Sequence, residues 1–243
     1  METRPGSLLG GRVVHAQPVT GHRTGIEPVL LAASIAARPG HRVLEGGSGA
    51  GAGLLCLACR VPGIAGVGIE RDAVLVGLAG ENAAANGFGS LQFIAGDLAA
   101  VTVEGGFDHA MANPPWHRMA GTTSPDAGKD SARRTRSGLF ASWAQLLAAA
   151  LRVRGTLTFV VAASVLADCV AAFGSAGCGS VAVLPLWPKP GREARLVLVR
   201  GIKGGRGPSR VLPGLVLHRD EGGYTATAHG VLWLGDALSF GDA

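Results

Sequence analysis

The chain has 243 residues, 47% of them apolar, and a net charge of +5, which suffices for the core of one domain and excludes a disordered chain. No apolar run is long enough to cross a bilayer, and the first residues lack the apolar segment of a secretory signal, so a cytoplasmic, membrane-free protein is expected.

In chain order, residues 7–25 read as an irregular arm or hairpin, and Ile26–Ala37 as an alanine-rich helix with Glu27 and Pro28 in its first turn. Strands are predicted at His41–Glu45, Ile64–Glu70, Leu91–Ala95, Phe107–Ala112, Thr156–Ala162, Ser180–Leu186 and Ala194–Gly201. Helices are predicted at Ala50–Arg60, Asp72–Asn86, Gly138–Leu151 and Ser164–Phe173, with a polar loop from His117 to Ser137. Strands alternating with helices of this length imply βαβ crossovers and a parallel sheet covered on both faces. Only a Pro/Gly turn, Trp187-Pro188-Lys189-Pro190-Gly191, separates the last two strands, so these should pair antiparallel. The fold class is therefore α/β, a Rossmann-like doubly wound sheet of seven strands, mostly parallel with an antiparallel last strand. The whole chain reads as one domain: an arm and helix over 1–40, a basic insertion loop over 118–137 and a glycine-rich extension over 203–243.

Cys56 and Cys59 form a CxxC inside an apolar helix with no matching second pair, which points to structural thiols and no metal. Charge is uneven along the chain. Residues 1–117 carry 7 basic and 9 acidic side chains, whereas residues 118–154 carry 7 and 2. The basic stretch suits a polyanion such as nucleic acid and equally suits a solvated loop.

Two motifs carry chemistry. Glu45-Gly46-Gly47-Ser48-Gly49-Ala50-Gly51 places glycines where a strand ends and a helix begins, allowing a tight turn and close approach of a ligand to the backbone. Glu70 closes the next strand, where a carboxylate fits two ribose hydroxyls. Glu45 would repel a pyrophosphate but suits an ammonium group, which favours S-adenosylmethionine over a dinucleotide. Gly96-Asp97-Leu98 follows the third strand; Asp97 could accept from an adenine amine or be a simple turn residue. The second motif is Asn113-Pro114-Pro115-Trp116. Two prolines end a strand stiffly and gather a side-chain amide, backbone carbonyls and an indole, a set able to hold a planar amine.

On these residues the chain resembles the class I S-adenosylmethionine-dependent methyltransferases over nearly its whole length. The resemblance implies cofactor contacts from Glu45, Gly47, Ser48, Gly49, Gly51, Glu70, Arg71, Asp97, Leu98 and Asn113. It also implies catalysis at Asn113, Pro114, Pro115 and Trp116, in the manner of amino-methylating members. The segments Gln17–Leu31, Ser124–Lys129 and Leu186–Val199 are similar to those of tRNA (adenine-N6)-methyltransferases acting beside the anticodon of a valine tRNA. That implies a tRNA partner, with Arg118, Lys129, Arg133, Arg134 and Arg136 as phosphate contacts. Trp116 stands where that motif usually has Tyr or Phe, and Glu45 where Asp is common. An rRNA guanine-N2 methyltransferase, a protein-glutamine N-methyltransferase and a non-catalytic cofactor-binding protein are the alternatives.

Overall fold

Apolar strands alternate with helices along most of this chain, and the strand ends carry its glycine and acidic residues. The computed structural model describes residues 2–20, 24–115 and 127–241, with side chains for all of these outside 127–137. The strands are β1 (Arg42–Gly46), β2 (Ala65–Glu70), β3 (Leu91–Ala95), β4 (Phe107–Ala112), β5 (Leu151–Ala162), β6 (Cys178–Trp187), β7 (Leu196–Lys203), β8 (Arg210–Val211) and β9 (Leu215–Val216). The helices are α1 (Glu27–Ser34), α2 (Ala52–Arg60), α3 (Ala73–Ala85), α4 (Ala127–Ala150), α5 (Leu166–Ser175) and α6 (Ala226–His229).

All nine strands form one sheet in the order β8-β6-β7-β5-β4-β1-β2-β3, with β9 also paired to β6. β7 runs antiparallel to both β5 and β6, and the remaining pairs are parallel. This is the doubly wound α/β architecture expected, with two short edge strands added to the seven. Because the parallel strands share a direction, Gly46, Glu70, Ala95, Ala112, Ala162 and Trp187 all end at one edge. Ligands of open α/β sheets bind at that edge.

Two apolar layers flank the sheet. One joins α1, α2, the arm and the 215–240 segment through Leu9, Leu30, Leu55, Leu184, Val231 and Phe240. The other packs α4 and α5 through Phe140, Leu147, Phe159, Phe173 and Val199. Local chemistry fixes the helix ends. Asp72 caps α3 by accepting from Val74 N at 2.9 Å, and the Arg60 guanidinium donates to the Ala32 and Ile35 carbonyls at the end of α1. The arm is two short antiparallel pairings, Thr3–Arg4 with Gln17–Pro18 and Ser7–Leu8 with Val13–Val14.

Three expectations shift. α4 begins at Ala127, so the polar loop does not extend to Ser137. β5 begins at Leu151, directly after α4, and takes in the charged Arg152 and Arg154. The 203–243 extension is partly core, since Leu215, Leu217, Ala228, Val231, Leu232 and Phe240 are buried. Cys56, Cys169 and Cys178 are buried thiols, and burial pushes their ionisation up. Among the described residues no helix is long and apolar enough to cross a membrane, and no group of side chains could hold a metal ion.

Candidate active site

The loop after β1 turns sharply because three of its glycines take positive φ, at 67° for Gly47, 55° for Gly49 and 88° for Gly51. Gly47 N and Ser48 N both donate to Ile69 O, at 2.8 and 3.2 Å, which ties the loop to the end of β2. At Gly51 the space is as restrictive as the dihedral: a Cβ would lie 3.0 Å from the Phe93 ring. Ser48 is buried, and its Oγ has no hydrogen-bond partner among the described residues. A buried hydroxyl without a partner is costly, and beside a bare backbone it is a group that a polar ligand atom can satisfy.

Two carboxylates meet at this loop. Glu70 Oε2 accepts from Gly49 N at 3.0 Å, and its Oε1 accepts from Asp72 N at 3.1 Å, so one side chain joins the loop to the start of α3. Glu45 is 4% exposed and turns beneath α2, where its Oε2 accepts from Leu54 N at 3.1 Å. Gly53 leaves room for it; a Cβ there would sit 2.2 Å from Oε1. Burial raises the Glu45 pKa to about 8, the Leu54 N–H opposes this, and repulsion from Glu70 adds to it. Such a pair is relieved by a cation placed between them.

The Asn113-Pro114-Pro115 turn leaves β4 beside this loop. The β1–β4 register pairs Gly46 with Ala112, so Asn113 is the first residue past the paired strand ends. Asn113 is half-buried, Pro114 buried and Pro115 exposed. Asp97 is exposed, with Oδ1 accepting from Ala99 N at 2.8 Å in its own turn, while Leu98 packs inward beside Gly46. Arg71 is exposed at the mouth of the loop. The sheet edge therefore gathers Glu45, the glycine loop, Glu70, Asp97 and Asn113–Pro115. Trp116 and Arg118 lie outside the described residues. Lys129, Arg133, Arg134 and Arg136 fall in the first turns of α4, where side chains are not described.

Two aromatic residues at the loop escape sequence reasoning. A Cβ on Gly47 would lie 2.8 Å from the Trp143 ring, so the α4 indole rests on the loop, and Phe93 of β3 lies against Gly51 and Gly68. Trp143 stands at helical spacing from the buried Phe140 and Leu147, a signal for a packed helix face but not for what it packs against.

Residues 26–142 match the family model of the methyltransferase small domain. No curated protein matches the chain in sequence. Among solved structures, protein Atu636 of Agrobacterium tumefaciens, described as a predicted O-methyltransferase, is similar with a TM-score of 0.74 at 22% identity, over 88% of this chain and 98% of that one. The S-adenosylmethionine-dependent methyltransferase SibL is similar with a TM-score of 0.51 at 15% identity, over 68% and 51%. TrmN from Thermus thermophilus is similar with a TM-score of 0.48 at 21% identity, over 69% and 45%. The matched residues are just under half of the chain, and the fold is that of the methyltransferases to which it is similar. The group to test against this site is S-adenosylmethionine, on which the similar SibL is described as depending. The residues at the sheet edge fit that group, since it is cationic and carries hydroxyls, and the edge offers two carboxylates, an unpartnered hydroxyl and a side-chain-free loop.

Proposed function

We propose that this chain is an S-adenosylmethionine-dependent methyltransferase acting on the exocyclic N6 amine of an adenine in tRNA, in the anticodon loop. The observation that carries the reading is the position of Asn113-Pro114-Pro115 one residue beyond the Gly46–Ala112 pair. The turn's acceptors thus adjoin the loop where a methyl donor would be held.

An adenine N6 lone pair is delocalised into the ring, so the nitrogen is a weak nucleophile. Asn113 Oδ1 and the Pro114 carbonyl each accept one N–H, drawing the nitrogen towards tetrahedral geometry and freeing its lone pair. Trp116 stacks on the base, a contact worth about 1–3 kcal/mol in single-stranded recognition. S-adenosylmethionine supplies an already activated methyl group, so the protein's contribution is alignment. Glu70 would hold the ribose hydroxyls and Asp97 the adenine amine of the cofactor, and Glu45 would turn negative towards its ammonium where that cation draws off the proton that burial holds on the carboxyl. The amine must be unpaired to reach the turn, as in an anticodon loop. The basic residues Arg118, Lys129, Arg133, Arg134 and Arg136 contact phosphate in this reading.

The test incubates the protein with methyl-labelled cofactor and, separately, tRNA, rRNA and a release factor, followed by digestion to nucleosides or amino acids. Label recovered as N6-methyladenosine from tRNA is the expected result. Label in N2-methylguanosine or methylglutamine would replace the proposal with one of its rivals. Arg133→Ala with Arg134→Ala should weaken tRNA binding and flatten its salt dependence while leaving affinity for S-adenosylhomocysteine unchanged.

A further inference from the structure

The chain is poor in aromatic residues, yet four rings gather in residues 218–233. They include its one tyrosine, two of its seven histidines and one of its four tryptophans. His218 and Tyr224 stack with centroids 4.6 Å apart; Tyr224 and Trp233 lie 5.1 Å apart; Trp233 and His229 stack at 5.5 Å with planes 8° apart. Core rings in a segment this short would be buried. Here Trp233 is 41% exposed, His229 is exposed, and these two line an open groove of about 600 Å³ with Tyr224, Ala226 and Arg219.

The segment that carries the rings leaves the sheet at its reactive edge. β9 pairs in parallel with β6, and Leu217 N and His218 N donate to Trp187 O and Pro188 O. His218 therefore leaves the sheet at the edge where Asn113 leaves β4. At about 4.8 Å per strand, the strand order β4-β5-β7-β6-β9 sets the two points roughly 20 Å apart. Two cations adjoin the rings. Arg219 is exposed and only loosely paired with Glu221 at 3.6 Å, and Lys189 Nζ donates to Asp220 O at 3.0 Å.

We infer that this groove is a second RNA contact, a stacking site for an unpaired nucleobase, with Arg219 and Lys189 on the adjoining phosphates. The inference rests on the reading of the substrate as RNA. Exposed rings beside cations match the way single strands are held without sequence preference. A base seated here and a base at Asn113 would belong to one splayed loop, so the groove selects RNA with unpaired nucleotides on both sides of the target.

The experiment measures binding of a short fluorescein-labelled single-stranded RNA, and of the same sequence as a duplex, by anisotropy. Trp233→Ala should weaken single-strand binding about tenfold, the loss of one stacked base, and Trp233→Phe should restore most of it. His229→Ala, a change at an exposed side chain, should weaken it in the same direction. Arg219→Gln should lower the salt slope by about 0.7. The thermal shift given by S-adenosylhomocysteine should stay unchanged in all four. Equal affinity of wild type, Trp233→Ala and His229→Ala would overturn the groove, while N6-methylation of tRNA by those variants at wild-type rate would leave the proposed function standing. A wild type with no affinity for either RNA would overturn both.

Discussion

Glu45→Gln tests whether the carboxylate beneath α2 carries an electrostatic cost that the cofactor site imposes on the fold. Glu45 is buried, with one N–H partner from Leu54 and the Glu70 carboxylate nearby. Its pKa rises from 4.5 to about 8. At about 1.4 kcal/mol per tenfold, that difference corresponds to about 5 kcal/mol. The native state holds the proton more tightly than the unfolded chain, so stability falls as pH rises between 4.5 and 8 and is flat on either side. Glutamine keeps an acceptor for Leu54 N and cannot ionise. Urea denaturation of both proteins without cofactor, from about pH 5 to about pH 9, measures the difference. Near pH 5 the two should agree within about 1 kcal/mol, whereas near pH 9 the variant should be the more stable by several. Taking the difference between proteins cancels the titrating groups that do not interact with Glu45, leaving Glu45 and its coupling to Glu70. A difference that stays constant over this range would refute the reasoning, because the Glu45 carboxylate would then be as well solvated in the folded chain as in the unfolded one.

Three further changes probe other contacts. His109 is buried, with Nε2 3.0 Å from His41 Nδ1 and Nδ1 2.7 Å from Thr156 Oγ1, and burial and then His41 lower its pKa to about 4. Wild type should therefore lose up to about 3 kcal/mol as pH falls from 6.5 to 4, and His109→Gln should remove most of that acid-side slope in urea titrations. Asn82→Ala deletes three hydrogen bonds, from Ala16 N and to Ala16 O and Ala50 O; at about 1 kcal/mol each, the urea midpoint should report a loss of about 3 kcal/mol, with amide exchange quickening at Ala16. Gly53→Ala would drive a Cβ into the Glu45 carboxylate, and overpacking of about 1–3 kcal/mol should exceed the gain of about 1 kcal/mol in helix propensity, seen as a lower melting temperature.

What the sequence made legible was local. Phe107–Ala112 matches β4 residue for residue, because an apolar run stopped by Asn-Pro-Pro leaves no other reading. The glycine loop and Glu70 were equally plain, since strand end, turn and next strand end lie within one βα unit. The start of α4 was hidden by Lys129, Arg133, Arg134 and Arg136, whose charge reads as loop although those residue types favour helix. The start of β5 was masked by Arg152 and Arg154, which alternate with apolar neighbours at a sheet end; Arg152 pairs there with Asp108 at 2.7 Å. Contacts between distant segments left no trace at all. Nothing in the spacing of Trp143 ties it to Gly47, and a four-residue helix such as α6 is too short to show a period.

The packing of residues 215–240 onto the arm has a temporal consequence. The turn at Leu9–Gly11 lies against Gly230–Leu234, and Arg12 donates to the Leu234 carbonyl. During synthesis the α4–α5 layer has every one of its buried members once Val199 has emerged. The α1–α2 layer must wait for Phe240, leaving Leu30, Leu55 and the back of the cofactor loop's helix uncovered in the meantime. The nascent chain is thus one-sided until residues 215–240 arrive, and the face that stays open longest is the one that carries α2, the helix that follows the glycine loop.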